Sequence, residues 1–155
     1  MINQKGQSLI EALIALGAAA VIVSAVAMAV ITAVNNSDFS KNQNLATQYA
    51  QQGMDILRHK SESDWQSFSA YGGNYCLSQD STALTPQSVE CPKNISNFFV
   101  RQITISQNSS GCSGNARVSV SVAWTDGKCT SSANVYCHAA VLDSCLANIT
   151  QTQLP

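Results

Sequence analysis

Apolar and polar positions fall into three regimes along the chain. From Leu9 to Val34 the residues are almost wholly apolar, interrupted by Glu11, Gly17, Ser24 and Thr32. The stretch from Leu13 to Val34 is 22 residues without proline. A bilayer core requires about 20 helical residues, so this run is long enough to span one. A secretory signal has a shorter apolar core of about 7–15 residues with a cleavage site behind it. This run is longer and no such site follows it. A plain signal anchor fits its length and the flanking Lys5 but leaves Glu11 unexplained.

The second regime, residues 35–60, contains no proline. Leu45, Tyr49 and Ile56 recur at helical spacing, with Ala46, Ala50, Met54 and Leu57 on an adjoining stripe and polar residues opposite. The periodicity predicts an amphipathic helix that continues the apolar one. Arg58-His59-Lys60 suits a helix C-terminus, where cations face the negative end of the macrodipole.

From Ser61 the period changes. Trp65, Phe68 and Tyr71 are expected to pack a short helix or turn onto the long helix, and Gly72-Gly73 marks a turn. Residues 74–97, with Pro86 and Pro92, read as irregular. Phe99, Arg101, Ile103 and Ile105 then alternate with Val100, Gln102, Thr104 and Ser106. Val118, Val120, Val122 and Trp124 alternate with Ser119, Ser121 and Ala123. Val135 to Leu142 is a third expected strand, and Asp126-Gly127 opens the connection before it. Three antiparallel strands with one apolar face must bury it, and the amphipathic helix is the available partner. The predicted class is α+β: a long N-terminal helix packed on a small antiparallel sheet.

Composition narrows the function classes. The net charge is −1, with 8 Lys+Arg against 9 Asp+Glu. A sequence-independent nucleic-acid binder requires a basic surface, so no nucleic-acid partner is expected. Charged residues are 11% of the chain, well below the ~25% of a typical soluble domain. No G-x-S-x-G, H-E-x-x-H or phosphate loop is present. His59 and His138 are the two histidines. His138 adjoins Cys137 in an expected strand, so the two face opposite sides and form no dyad; His138 reads as a surface or interface residue. Neither an enzymatic head nor a cofactor is expected.

The six cysteines, Cys76, Cys91, Cys112, Cys129, Cys137 and Cys145, all follow the apolar run. An even set on one side of such a run reads as a disulfide framework in an oxidising compartment. No pair has C-x-x-C spacing, so no metal site is expected. Six cysteines allow 15 pairings. If the second and third strands form a hairpin with Trp124 near Val135, counting outward places Cys112 near Cys145. Cys129, in the connection, can then reach Cys137. Cys76 and Cys91 remain to close the irregular loop.

Glu11 demands its own explanation, because a carboxylate inside a membrane helix costs about 2.5–3.5 kcal/mol and is rare unless paired or functional. Its neighbours supply one. Lys5-Gly6-Gln7-Ser8-Leu9-Ile10-Glu11 closely resembles the N-terminal signal of type IV prepilins and type II secretion pseudopilins. The resemblance is close over the first 34 residues and extends to the rest only in layout, a long helix with a β-sheet head. It implies cleavage after Gly6 by a prepilin peptidase, N-methylation of the new terminus at Gln7, and Glu11 as the fifth mature residue. The family most often has phenylalanine where this chain has Gln7, and major pilins often carry a helix-kinking proline that is missing here. The wording Ser-Leu-Ile-Glu-Ala-Leu-Ile-Ala-Leu is nearer to minor pilins and pseudopilins.

The organisation that follows is a leader (1–6), a membrane and filament-core helix (7–34), its amphipathic continuation (35–60) and an exported disulfide-rich head (61–155). The expected function is that of a minor pilin in a type IV pilus-like filament. The alternatives are a pseudopilin of a type II secretion system and a tip pilin for adhesion or DNA uptake. The implied partners are other pilin or pseudopilin subunits, the prepilin peptidase, an inner-membrane assembly platform, and membrane lipid before assembly. Before cleavage the N-terminus is expected in the cytoplasm; after assembly the head is expected on a cell-surface filament.

Overall fold

The computed structural model describes residues 4–88, 90–112, 115–127, 129 and 136–148; for residues 4–8 only the backbone is described. The chain divides into two units, residues 1–41 and 42–155. A single helix, α1 (Gln4–Ser63), contributes to both. It continues three residues beyond the basic cluster. A short helix, α2 (Trp65–Ser69), follows after Asp64.

The second unit contains one antiparallel sheet. Its strands are β1 (Gly73–Cys76), β2 (Thr85–Pro86), β3 (Val100–Gln107), β4 (Ala116–Trp124) and β5 (His138–Leu146), in the spatial order β2-β1-β3-β4-β5. The expected three strands are thus joined by two more, and residues 74–97 are not wholly irregular. β1 has four residues and β2 two, too few for alternation to register in the sequence. They are ordered by long-range pairing: Tyr75 opposite Ile103, and Pro86 opposite Tyr75. Pro86 donates no backbone hydrogen bond and is tolerated because β2 is an edge strand.

The expected start of the third strand at Val135 lies outside the described residues. The described strand begins at His138 and continues to Leu146, four residues past the expected end. Trp124 therefore pairs with His138, and Ala116 with Leu146.

β4 alternates cleanly: Ala116, Val118, Val120, Val122 and Trp124 are buried, while Arg117 is exposed and Ser119, Ser121 and Ala123 are half-buried. The buried face packs with Ala46, Ala50, Met54 and Leu57 of α1 in one core. Leu45, Tyr49 and Ile56 are only partly buried, so the adjoining stripe is the one that faces the sheet. The small side chains on that stripe permit close approach. At Gly53 a Cβ would lie 3.0 Å from Val120 Cγ1 and 3.2 Å from Arg101 Cδ. Phe68 of α2 is buried in the same core, with Trp65 and Tyr71 packed against it, as the aromatic spacing predicts. Asp64 caps α2 by accepting the Ser67 N–H at 3.0 Å.

Candidate functional site: the apolar N-terminal helix

The first unit is a helix whose side chains are all exposed from Leu9 to Ser40. Leu13, Ile14, Leu16, Val21, Ile22, Val23 and Met28 are each more than 60% exposed. α1 is long and apolar enough to cross a membrane, and its most apolar stretch is wholly unburied. A helix apolar on every side is suited to hydrocarbon or to a protein-lined core, not to water.

The polar groups along this run are dealt with locally. Ser24 Oγ donates to the Ala20 carbonyl at 2.8 Å, and Thr32 Oγ1 to the Met28 carbonyl at 2.9 Å. Each hydroxyl is satisfied within its own helix, which lipid requires. Gly17 has nothing within 4 Å of a built Cβ, so packing within the chain does not call for a glycine there. A glycine inside a helix costs about 1 kcal/mol relative to alanine. Glu11 is exposed, and among the described residues no cation forms an ion pair with it. Gly6 and Gln7 belong to the first turns of α1; the Gln7 side chain is outside the description.

In the head the cysteines pair as Cys76–Cys91, Cys112–Cys145 and Cys129–Cys137. These are the pairs given by counting outward from the hairpin. The count began from Trp124 beside Val135 rather than His138, and it tolerated the error because each of the three bridges has at least one cysteine outside the strands. Cys145 stands opposite Arg117 on β5, so its bridge to Cys112 ties the β3–β4 connection to the edge strand.

Two polar arrangements in the head escaped the sequence reading. Arg101 is fully buried on the core face of β3. Its Nε donates to Leu77 O at 3.0 Å, Nη2 to Ser78 O at 2.8 Å, and Nη1 to Tyr49 O at 3.0 Å and Gln52 Oε1 at 3.1 Å. Asn94 brackets the same residue, accepting the Arg101 N–H at 2.7 Å and donating to its carbonyl at 2.9 Å. Burial among neutral acceptors pulls the guanidinium down to about 10. The alternation had placed Arg101 in phase with Phe99, Ile103 and Ile105, which was the available signal that it points inward.

The second is near the same end of the sheet, at the start of the edge strand β5. His138, expected at a surface or interface, is half-buried, with its ring 5.3 Å from that of Trp124 and Nε2 3.0 Å from Asp126 Oδ2. Asp126 belongs to the turn after β4, and no local pattern couples it to a histidine twelve positions later.

A shallow polar depression of about 420 Å³ is lined by Ser78, Gln79, Asp80, Lys93 and Asn94 among others. All of its lining residues are polar or charged, unlike the predominantly apolar lining usual for a small-molecule pocket.

No family model, no curated protein and no solved structure matches the chain. Geometry and residue chemistry therefore carry the functional argument. They define the class as an α+β protein with a long, membrane-compatible N-terminal helix and a disulfide-bridged antiparallel sheet.

Proposed function

We propose that this chain is a structural subunit of a type IV pilus-like filament, a minor pilin, assembled through α1. Glu11 carries the reading: it is a carboxylate on an exposed apolar helix, one turn beyond Gln7. Cleavage after Gly6 turns the Gln7 nitrogen into a cation. In a filament core the amine of one subunit meets the glutamate of the next, because a buried unpaired charge is heavily penalised and a paired one is tolerated. The pair acts as a register device, since a subunit out of step leaves both charges alone. Gly17-Ala18-Ala19-Ala20 adds a surface on which neighbouring helices approach closely.

In this reading residues 7–34 reside in the inner membrane until a prepilin peptidase and an assembly platform deliver the subunit into the filament. The head is exported, where three disulfides form and persist. The chemistry is assembly, not catalysis, and needs no cofactor.

The test is mass spectrometry of the membrane-extracted protein together with its presence in sheared surface fibres. A mature terminus at Gln7 and recovery in the fibres are the expected results. An intact Met1, or a cut beyond the apolar run, refutes the prepilin reading. Cleavage at Gly6 without recovery in sheared fibres points instead to a short secretion pseudopilus.

A further inference from the structure

One of the three disulfides has a surrounding the other two lack. Cys129 and Cys137 are eight residues apart and join the turn after β4 to the start of β5. Around them the donor atoms of Asp126, Cys129, Cys137 and His138 all lie within 4.8 Å of one another; Asp126, Cys129 and His138 are half-buried and Cys137 is exposed. Among the described residues this is the one group of its kind.

The four are oriented as well as close. Asp126 Oδ2 is 3.0 Å from His138 Nε2. The other carboxylate oxygen, Oδ1, is 3.8 Å from Cys129 Sγ. The Asp126 N–H donates to the same sulfur at 3.4 Å, and the Cys129 N–H returns a bond to the Asp126 carbonyl at 3.2 Å. A tight turn thus presents a carboxylate and a sulfur to one point. An amide donor on that sulfur stabilises a thiolate. The His138 ring is steadied against buried Trp124, and His138 is fixed in register opposite Trp124 at the start of β5.

We infer that Cys129, Cys137, His138 and Asp126 form a Zn²⁺ site that exists only when the Cys129–Cys137 disulfide is reduced. A disulfide sulfur is a poor ligand; the thiolate is the metal-binding form. A dithiol reductant gives two electrons to the S–S bond and becomes a disulfide itself, while each cysteine sulfur takes one proton. Zn²⁺ then displaces both protons to solvent. It is held by two thiolate sulfurs, one imidazole nitrogen and one carboxylate oxygen.

That donor set suits tetrahedral Zn²⁺ and disfavours Ca²⁺ and Mg²⁺, which take all-oxygen shells. Zn–S bonds of about 2.3 Å and Zn–N bonds of about 2.0–2.1 Å place tetrahedral donors about 3.3–3.8 Å apart. The donors already fall within a span of 4.8 Å, so the two sulfurs must separate while the backbone adjusts locally. The β4–β5 connection therefore has two alternative staples, a covalent one under oxidising conditions and a metal one under reducing conditions. Cysteine spacing gave no hint of this, because two of the four ligands are not cysteine.

The experiment uses the full chain in detergent micelles, titrated with Co²⁺ before and after dithiol reduction, with circular dichroism following the sheet. The expected result is no uptake by the oxidised protein. After reduction, one equivalent should bind with thiolate-to-metal charge-transfer absorption, and Zn²⁺ should displace it. Asp126→Asn and His138→Gln leave the bridge intact, so their oxidised folds can be verified first; each should weaken binding by at least about tenfold. The Cys76→Ser/Cys91→Ser protein should bind like the parent. The inference is overturned by equal uptake in the oxidised protein, or by uptake that survives Cys129→Ser/Cys137→Ser. It is also overturned by the absence of uptake after reduction, including absence because the strands are lost, since the site requires both strand ends in place.

Discussion

The Nη1 of Arg101 donates to the Tyr49 carbonyl at 3.0 Å, joining the start of β3 to the backbone of α1. The same guanidinium holds Leu77 O and Ser78 O, so one side chain fastens helix, sheet and the segment after β1 together. A cation in a hydrophobic core is usually balanced by a carboxylate. Here the balance is a ring of neutral oxygens aligned with the planar fork of donors, a geometry lysine cannot reproduce.

Arg101→Ala should therefore cost the head at least about 3 kcal/mol, because it removes bonds to a charged donor and strands buried acceptors. Arg101→Lys should recover part of that loss. Urea unfolding of the full chain in micelles, followed by Trp124 fluorescence, gives the measurement. The pH dependence has a definite sign. Burial holds the folded guanidinium down to about 10, below its value in the unfolded chain. The contribution of Arg101 to stability is flat below about 10 and rises between those values, where the unfolded chain binds the extra proton.

Two glycines of α1 should respond oppositely to substitution. At Gly53 an added methyl meets Val120 and Arg101, one β-branched in a central strand and the other pinned by four hydrogen bonds. Neither can yield. Gly53→Ala should destabilise the head by about 1–3 kcal/mol despite the better helix propensity of alanine. At Gly17 nothing stands within 4 Å, so Gly17→Leu should leave folding and membrane retention unchanged. On the proposed function it should lower filament incorporation by crowding the next helix. Melting curves test the first and sheared-fibre yield the second.

Asp64 gives the head an acid-sensitive joint. Hydrogen bonds from the Ser67 side chain and backbone hold its carboxyl below the ordinary 3.8. A carboxylate with a lowered folded pKa contributes stability above the unfolded value, and loses it as pH falls through the folded one. Docking of α2 should weaken below about pH 4, as read by the near-ultraviolet circular dichroism of Trp65 and Phe68. Asp64→Asn keeps a capping side chain and should remove that acid step.

The long elements were readable because each holds a pattern over many residues. The first half of α1 is an almost unbroken apolar run, its second half is amphipathic, and β4 alternates over nine residues without exception. β1 exists because β3 gives it a partner, β2 because β1 does, and a four-residue strand leaves no period of its own. The strand that begins at His138 alternates in burial, but its residue types do not follow: Val141 is 53% exposed while Ala140 is buried, so hydrophobicity misplaces its ends. Glu11 was conspicuous because a charge in an apolar run is costly. Asp126 and His138 were not, because a turn aspartate and a strand-end histidine each look ordinary until the fold brings them within 3.0 Å.

The charge at Glu11 gives the most direct test of assembly. Glu11→Ala removes a carboxylate from an exposed apolar helix, so membrane insertion should be retained or improved. Cleavage should also persist, because the junction at Gly6 is unchanged. What disappears is the partner for the amine of Gln7 on a neighbouring subunit. Breaking a buried ion pair by removing one member costs about 3–5 kcal/mol. If only about 1.4 kcal/mol of that is felt during recruitment, incorporation falls tenfold. Glu11→Gln keeps the size and hydrogen-bonding capacity without the charge, so it should restore little. Parent and both variants are compared for mature N-terminus, membrane retention and recovery in sheared fibres. Normal cleavage and anchoring with at least about tenfold poorer recovery supports the pairing mechanism. Recovery of Glu11→Ala equal to the parent refutes it, and leaves Glu11 as a residue that snorkels to the headgroups.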